Sequence, residues 1–138
     1  LARSVSLWES LGMNVSAMDV EEHDYIFGAV SHLPHVVAYA LMNTIADLKT
    51  LKHDQISTFG GNGLKDVTRI AASDPVMWRD ICLTNKKSVL LSIGLFQETL
   101  NKIKAHIEAG EGDALEQTFS LANKHRLSMC EKANDHCN

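Results

Sequence analysis

The chain has 138 residues, which suits a single domain, and its 45% hydrophobic and 22% charged residues argue against intrinsic disorder. The net charge of −4, with scattered acidic residues, offers no basic stripe for a phosphate backbone and argues against nucleic acid as a partner. Three cysteines without metal-finger spacing favour free thiols in a reducing cytoplasm. No basic-then-apolar leader opens the chain, and no apolar run approaches the ~20 residues that span a bilayer. We therefore expect a cytoplasmic protein without a membrane partner.

The first eighteen residues predict a helix followed by a short strand. Leu1 to Leu11 has helical amphipathic spacing, and Gly12 stands where a left-handed residue ends a helix. Met13 to Met18 alternates apolar and polar residues like a strand, yet no second strand pattern follows to pair with it. Because the chain also begins without a methionine, we interpret residues 1–18 as the tail end of a missing domain and residues 19–138 as a helical domain.

A helix is predicted to begin at Asp19, where Glu22 three residues later forms a capping-box pattern. Apolar residues cover much of its circumference as far as Ile45, which is typical of a helix at the centre of a bundle. Pro34 lacks an N–H and its ring presses on the carbonyl four residues back, so we expect a kink between Ser31 and Pro34. Such a kink exposes polar backbone groups to ligands.

Two more helix starts follow a glycine-rich turn. After the turn at Gly60-Gly-Asn-Gly63, a short helix is predicted from Leu64 to Ala72. Ser73-Asp74-Pro75 is a strong helix start, and from there to Ala109 only Gly94 weakens a helix of ~35 residues. Gly110-Glu-Gly112 then ends that helix, and Asp113 is expected to cap a last one.

An apolar seam runs along the predicted long helix. A helix of ~35 residues is ~50 Å long, which exceeds the diameter of a 138-residue globule. Part of the seam is therefore expected to pack on another subunit of an all-α helical bundle. Its residues alternate four and three apart: Val89, Ile93, Phe96, Leu100, Ile103 and Ile107.

A small-anion site is predicted just after the glycine turn. Lys65 and Arg69 lie four apart on one helix, so both cations can face one point together with backbone N–H groups. Arginine can grip a carboxylate through two parallel hydrogen bonds. Asp66 either neutralises Arg69 or reaches another subunit as a gate. Trp78 is either a ligand wall or a core residue, and the charges alone equally suit a solvated helix surface.

The histidines leave two interpretations open. His32 and His35 are neighbours on one helix face. The His23-Asp24 pair is similar to the motif of HD-type metal phosphohydrolases, with His53-Asp54 as the second pair that such an enzyme needs. Ligand spacing alone is weak evidence for metal, and buried or capping histidines have the same pattern. We assign no metal ligand.

Several motifs in one order carry a family resemblance. Together they resemble the carboxy-terminal domain of the prephenate or arogenate dehydrogenases of tyrosine biosynthesis, from about Val20 to Lys87, and residues 1–18 resemble the end of that family's nucleotide domain. The motifs are His23-Asp24, Ser31-His-Leu-Pro-His35, Gly60-Gly-Asn-Gly63, Lys65-Asp66, Thr68-Arg-Ile-Ala71 and Ser73-Asp-Pro-Val-Met-Trp-Arg-Asp-Ile81.

The resemblance implies an intertwined homodimer and an oxidoreductase that converts prephenate to 4-hydroxyphenylpyruvate with NAD or NADP bound by an amino-terminal Rossmann domain. This chain has no Gly-x-Gly-x-x-Gly turn after a strand. We therefore expect no cofactor-binding residue, no catalytic residue and no turnover here. Prephenate versus arogenate, NAD versus NADP, and inhibition by tyrosine stay open, and a non-catalytic helical interaction module is the remaining alternative.

The resemblance also implies where a dianionic substrate binds. His35 and Arg69 match substrate-binding positions, Trp78 and the turn at Asn62 match positions near the substrate side chain, and Asp66 matches one near the subunit junction. The full set of expected substrate-binding residues is Ser31, His32, His35, Asn62, Lys65, Asp66, Arg69 and Trp78.

Overall fold

The structure, a computed structural model, describes residues 2–48 and 59–133, and within these ranges all regular secondary structure is helical. The predicted all-α class is confirmed there. In chain order the elements are α1 Ala2–Ser10, α2 Val20–Phe27, a π-helical segment Gly28–His32, α3 Leu33–Ala46, α4 Asn62–Thr68, a 3₁₀ segment Arg69–Ala72, α5 Pro75–Thr84, α6 Lys86–Ala109 and α7 Gly112–Ala133.

The chain forms two compact units. The first spans Leu1–Ser92 and contains α1 to α5 with the first turns of α6, and the second spans Ile93–Asn138. Every predicted site residue belongs to the first unit.

The amino-terminal prediction is half right. The helix α1 ends at Ser10 and Gly12 has a φ of +81°, the left-handed conformation expected of it. The strand predicted over Met13 to Met18 is wrong, because residues 13–19 have no regular structure. A strand needs a hydrogen-bonded neighbour, and the described residues provide none.

The helix start at Asp19 is confirmed, and the kink predicted before Pro34 occurs as a π-helical segment. The Asp19 carboxylate accepts a 2.7 Å hydrogen bond from the Glu22 N–H. Further on, the Leu33 N–H donates to the Gly28 carbonyl, five residues back. The chain thus absorbs the proline as a π-helical segment between α2 and α3 instead of a broken helix.

Gly28 allows the π-helical segment to pack closely on the first turn of α6. It is buried, and a Cβ added to it would lie 2.8 Å from the Cβ of Ser88. Real Cβ atoms do not approach so closely, so this position requires glycine or a shift of α6.

The predicted helix of ~35 residues after Asp74 is wrong, because it breaks at Asn85. Asn85 has φ −97° and ψ 39°, outside the helical region, and separates α5 from the 24-residue α6. The start of α5 is as predicted: the Asp74 carboxylate accepts a 2.8 Å hydrogen bond from the Met77 N–H, and Pro75 is the first helical residue.

The second unit confirms one predicted end and corrects two details. The helix α6 ends at Ala109, and Gly110 has a φ of +69°. Asp113 does not cap α7, which begins one residue earlier and includes Asp113 in its first turn. Cys130 is disulfide-bonded, so the expectation of free thiols is wrong there, whereas Cys82 is a free thiol; Cys137 lies outside the described residues.

Few hydrophobic side chains are buried within the described residues. Ala38, Trp78, Val89 and Cys130 are buried, while 25 large hydrophobic side chains are exposed. Along the seam on α6, Leu100 and Ile107 are exposed, whereas Val89 is buried and Ile93, Phe96 and Ile103 are half-buried. Large exposed apolar surfaces mark places where another molecule packs.

The stretch Val20–Ala46 is long and strongly apolar. Although it has no uninterrupted apolar run of spanning length, its 27 helical residues, with a mean hydropathy of 1.3, pass a membrane-span test by length and composition alone. Core helices of soluble proteins pass the same test. Only 11% of its apolar window is fully buried by the described residues, and many of its apolar side chains, such as Val36 and Val37, are half-buried.

Candidate functional site

A tryptophan contacts two histidines within the first unit. The ring of His35, on α3, stacks on Trp78 of α5 with centroids 3.5 Å apart and planes 20° apart. The ring of His32, at the end of the π-helical segment, meets Trp78 edge-on at 6.1 Å and 74°. Trp78 is only 8% exposed. We call these three residues the histidine–tryptophan cluster, and it brings together three of the eight predicted site residues.

A hydrogen bond to a carbonyl fixes the proton on His35. The Nδ1 atom of His35 lies 2.9 Å from the backbone carbonyl oxygen of Ser31. Because a carbonyl only accepts, Nδ1 must carry the proton, and the neutral ring presents Nε2 as an acceptor. Ser31 therefore contributes its backbone oxygen to the site.

A second contact fixes the opposite tautomer on His32. The Nδ1 atom of His32 lies 3.3 Å from the side-chain nitrogen of Asn85, which is a donor. Nδ1 therefore accepts, and the neutral ring of His32 has its proton on Nε2. Burial lowers the pKa of His32, and the positive charges of protonated His23 and His35 act in the same direction, while Asp24 opposes them.

Trp78 has one unsatisfied polar atom. Its indole nitrogen is buried, and no acceptor among the described residues lies within hydrogen-bonding distance. Buried N–H groups almost always have a partner. The cluster therefore retains a hydrogen-bond donor that this part of the chain does not use.

The predicted anion-binding residues lie on a segment that packs against α3. The helix α4 and the 3₁₀ segment both contact α3, and the Tyr39 hydroxyl on α3 donates a 2.8 Å hydrogen bond to the carbonyl of Ser73, just after the 3₁₀ segment. The segment differs from the predicted Leu64 to Ala72 helix in beginning at Asn62 and ending with 3₁₀ geometry.

The cations on this segment are exposed and unpaired within the described residues. Lys65 and Arg69 lie within 4.0 Å of no described carboxylate, including Asp66 beside them. Asn62, Lys65, Asp66 and Arg69 are all exposed. We call Lys65, Asp66 and Arg69 the cationic segment. Asp66 does not pair with Arg69 in this structure. The other role considered for Asp66, a contact with another subunit, stays a prediction.

Two clefts lie beside Asn85, and one of them borders the histidine–tryptophan cluster at His32. Both include Asp24, Thr84 and Asn85 in their walls, and their volumes of about 420 and 320 Å³ suit one small molecule each. Neither is lined by the cationic segment. The larger cleft is lined by Asp24, His32, Met77, Asp80, Ile81, Thr84 and Asn85.

The metal interpretation gains no support from the geometry. His23 and Asp24 form a 3.2 Å ion pair at the surface, and the His23 ring stacks on Phe27 at 4.4 Å. Within the described residues, no group of three or more His, Cys, Asp or Glu could hold a metal ion. The second pair, His53-Asp54, lies outside the described residues.

Sequence reasoning missed Asn85 and Gly28. Asn85 is 7% exposed and holds His32, but it stands in a run that reads as continuous helix. The residue type could have indicated the break, because asparagine is disfavoured in helix interiors. For Gly28, a lone glycine in an apolar helix indicates a close approach of two backbones.

Comparisons with known proteins identify the family. The model of the prephenate dehydrogenase dimerization domain matches residues 19–121. The chain is 33% identical over 129 residues to a cyclohexadienyl dehydrogenase of Zymomonas mobilis, covering 94% of this chain and 44% of that one. It is 35% identical over 109 residues to the prephenate dehydrogenase of Bacillus subtilis, covering 79% and 29%. The chain belongs to the prephenate dehydrogenase dimerization-domain family, which confirms the resemblance inferred from the motifs.

Solved structures share the fold. The chain is similar to the Aquifex aeolicus prephenate dehydrogenase in complex with hydroxyphenyl propionate and NAD+, with 39% identity and a TM-score of 0.84 over 93% of this chain and 44% of that one. A Synechocystis arogenate dehydrogenase, 22% identical with a TM-score of 0.82 over 93% of this chain and 46% of that one, shares the fold. The chain thus spans less than half the length of these relatives.

Proposed function

We propose that this chain is the dimerisation and substrate-binding part of an NAD(P)-dependent prephenate dehydrogenase, a cytoplasmic enzyme of tyrosine biosynthesis. The observation that carries the proposal is the stacked His35–Trp78 pair on a helix that packs against the segment with unpaired Lys65 and Arg69. Prephenate combines a flat ring with two carboxylates. An aromatic wall beside free cations offers complementary chemistry to both parts.

In this proposal the cationic segment holds the carboxylates. Arg69 grips one through paired hydrogen bonds, and Lys65 adds a point charge. Trp78 and the turn at Asn62 lie near the substrate side chain, and Asp66 lies near the subunit junction.

The histidines contribute hydrogen bonds of opposite sense. His35, oriented by the Ser31 carbonyl, offers Nε2 as an acceptor, while His32 offers Nε2–H as a donor. A hydroxyl and an anionic oxygen of one substrate are thereby matched by two adjacent rings.

The described residues do not fit a dinucleotide. Phosphate cradles of the Rossmann type need a glycine turn between a strand and a helix. Here Gly60 and Gly61 precede α4 without a strand among the described residues, and Gly63 lies within α4. We derive no hydride-transfer step for this chain. We propose instead that NAD or NADP and the catalytic base belong to a nucleotide domain of which residues 1–18 are the tail end.

We further propose a homodimer. The support is the 25 exposed large hydrophobic side chains among the described residues, together with the poorly covered apolar stretch Val20–Ala46. Obligate dimer interfaces resemble a divided hydrophobic core. A second copy of this chain would supply the missing cover.

Two measurements on the chain test these assignments. Light scattering coupled to size exclusion at tens of micromolar should give twice the chain mass, and a monomer would contradict the dimer. Calorimetry should detect no micromolar binding of NAD to this chain, and such binding would contradict the division of labour between domains.

An assay of the full-length protein tests the activity. Prephenate and arogenate are each supplied with NAD and with NADP, and with tyrosine as a possible inhibitor. We expect oxidative decarboxylation of prephenate. Absence of turnover with either substrate and either cofactor would contradict the proposal, and stoichiometric transition metal in the protein would favour the phosphohydrolase alternative.

A further inference from the structure

Asn85 connects two distant parts of the first unit. It separates α5 from α6 and is 7% exposed. Its side-chain nitrogen lies 2.7 Å from the backbone oxygen of Asp24, on α2, and 3.3 Å from Nδ1 of His32. One amide group thus contacts both the helix that precedes the π-helical segment and the last residue of that segment.

The Asp24 carbonyl determines which way the Asn85 amide faces. A flipped amide would place its oxygen 2.7 Å from the carbonyl oxygen, and two acceptors repel at that distance. The NH₂ group must therefore face Asp24. Its second hydrogen is then the one directed at His32, so the contact with Nδ1 is a donated hydrogen bond.

The same amide determines the proton position on His32. A ring nitrogen that accepts a hydrogen bond cannot carry a proton, so the proton of neutral His32 is on Nε2. Protonation of Nδ1 would place two donors against each other within 3.3 Å. Asn85 therefore disfavours both the other tautomer and the imidazolium form.

The charged groups around His32 do not reverse its preference for the neutral form. Asp24 and His23 on α2 and His35 on α3 act on the ring, and Asp80 on α5 lines the same cleft. The two carboxylates favour a charged ring, yet burial prevails and the pKa of His32 lies below its usual 6.5. The hydrogen-bond pattern and the balance of charges both give a neutral ring.

We propose that Asn85 is a positioning residue, which fixes His32 as a neutral hydrogen-bond donor through Nε2–H. We further infer that this donor bonds an anionic oxygen of the substrate and takes no part in proton abstraction. This step rests on the proposed function. His32 then cannot act as a general base in this tautomer without first releasing the bond from Asn85.

The first test needs no substrate. Long-range ¹H–¹⁵N correlation NMR of the histidine-labelled full-length protein identifies which ring nitrogen of His32 carries the proton, and the signal that vanishes in His32→Gln assigns the residue. We expect a proton on Nε2 and none on Nδ1. A proton on Nδ1 in the unsubstituted protein would overturn the proposal without recourse to any variant of Asn85.

The second test reverses the donor. Asn85→Asp replaces the NH₂ group by a carboxylate oxygen, which can accept from His32 but no longer donates to the Asp24 carbonyl. We expect the proton to move to Nδ1 and the pKa of His32 to rise in the same NMR titration, because a carboxylate favours the charged ring. The matched control is Asn43→Asp, which adds the same charge at an exposed position on α3. An equal rise in the control, or no rise in Asn85→Asp, would overturn the proposal.

Kinetics of the full-length protein test the substrate step. In Asn85→Asp the KM for prephenate should rise more than kcat falls while His32 is neutral, because its proton is then on Nδ1, and the KM defect should shrink at lower pH, where the imidazolium again offers Nε2–H. A changed kcat with unchanged KM would overturn the donor role. A protein that lacks dehydrogenase activity altogether would refute the proposed function, while the NMR result would still decide the role of Asn85.

Discussion

The histidine–tryptophan cluster and the cationic segment lie on packed elements of one unit, but they are built in opposite ways. The cluster is held by its own chain: His35 is bonded to the Ser31 carbonyl, His32 to Asn85, and Trp78 is 8% exposed. Arg69, in the cationic segment, is exposed and pairs with no described carboxylate. The cluster is formed before any ligand arrives, whereas the cationic segment has its charges free of described partners.

The two regions therefore differ in the conformational entropy that they lose when a ligand binds. Side chains already fixed lose little conformational entropy when a ligand binds, whereas an exposed lysine or arginine loses ~0.5–1.5 kcal/mol each. Substitutions in the cluster should therefore affect folding, and substitutions in the cationic segment should affect binding.

Truncation of Trp78 should cause the largest loss of stability. Trp78→Ala removes a buried ring and its stack with His35, and the usual cost of such a change is about 3–5 kcal/mol. The matched control is Trp8→Ala, because Trp8 is 49% exposed and should cost far less. Urea unfolding of both variants measures the difference. Equal losses of stability in the two variants would contradict the conclusion that the histidine–tryptophan cluster is a packed, pre-formed part of the fold.

A methyl group at Gly28 should also destabilise the fold. Gly28→Ala places a Cβ 2.8 Å from that of Ser88, and overpacking of this kind costs about 1–3 kcal/mol. Gly63→Ala is the control, since a Cβ there meets nothing within 4 Å and alanine favours helices. Chemical denaturation should show opposite signs for the two variants. A neutral Gly28→Ala would mean that α6 shifts without cost.

The titration of His32 should make stability depend on pH. In the unfolded chain His32 titrates near 6.5, and burial lowers its pKa in the folded state. Below about pH 6.5 the unfolded state binds more protons, so the free energy of unfolding should fall as the pH falls toward the folded pKa. His32→Gln should remove that part of the dependence, and His125→Gln, at an exposed position, should not. Identical pH slopes in both variants would contradict a neutral His32.

Cys82 should give the smallest effect. Burial raises the pKa of its thiol, so the thiolate fraction at neutral pH is lower than in an unfolded chain. Alkylation of Cys82 by iodoacetamide, identified by mass spectrometry of the modified peptide, should be slower in the folded than in the unfolded protein. Equal rates would mean that α5 does not shield the thiol.

Local signals in the sequence predicted the ends of helices well. Asp19 and Asp74 cap, and Gly12 and Gly110 take positive φ, because these effects depend on residues within one turn. The break at Asn85 could not be predicted in this way. Its side chain bonds the Asp24 backbone 61 residues away, so a tertiary contact stabilises a conformation that the local sequence does not favour.

The candidate site shows the same limit. Spacing alone predicted that His32 and His35 are neighbours, and the motifs singled out Trp78. The stack of His35 on Trp78 depends on how α5 crosses α3, and the tautomers depend on single acceptors and donors, the Ser31 carbonyl and the Asn85 amide. Periodicity contains no information about such pairings.

The most direct test of the central claim is the effect of Arg69→Ala on kcat/KM for prephenate in the full-length protein. Loss of a charge that grips a carboxylate should lower kcat/KM by the equivalent of ~2–5 kcal/mol. The control is Lys102→Ala, which removes an exposed cation on α6, outside the cationic segment. A large loss for Arg69→Ala alone, with unfolding unchanged, is the result we predict. Equal activity of Arg69→Ala and the unsubstituted protein would contradict the account.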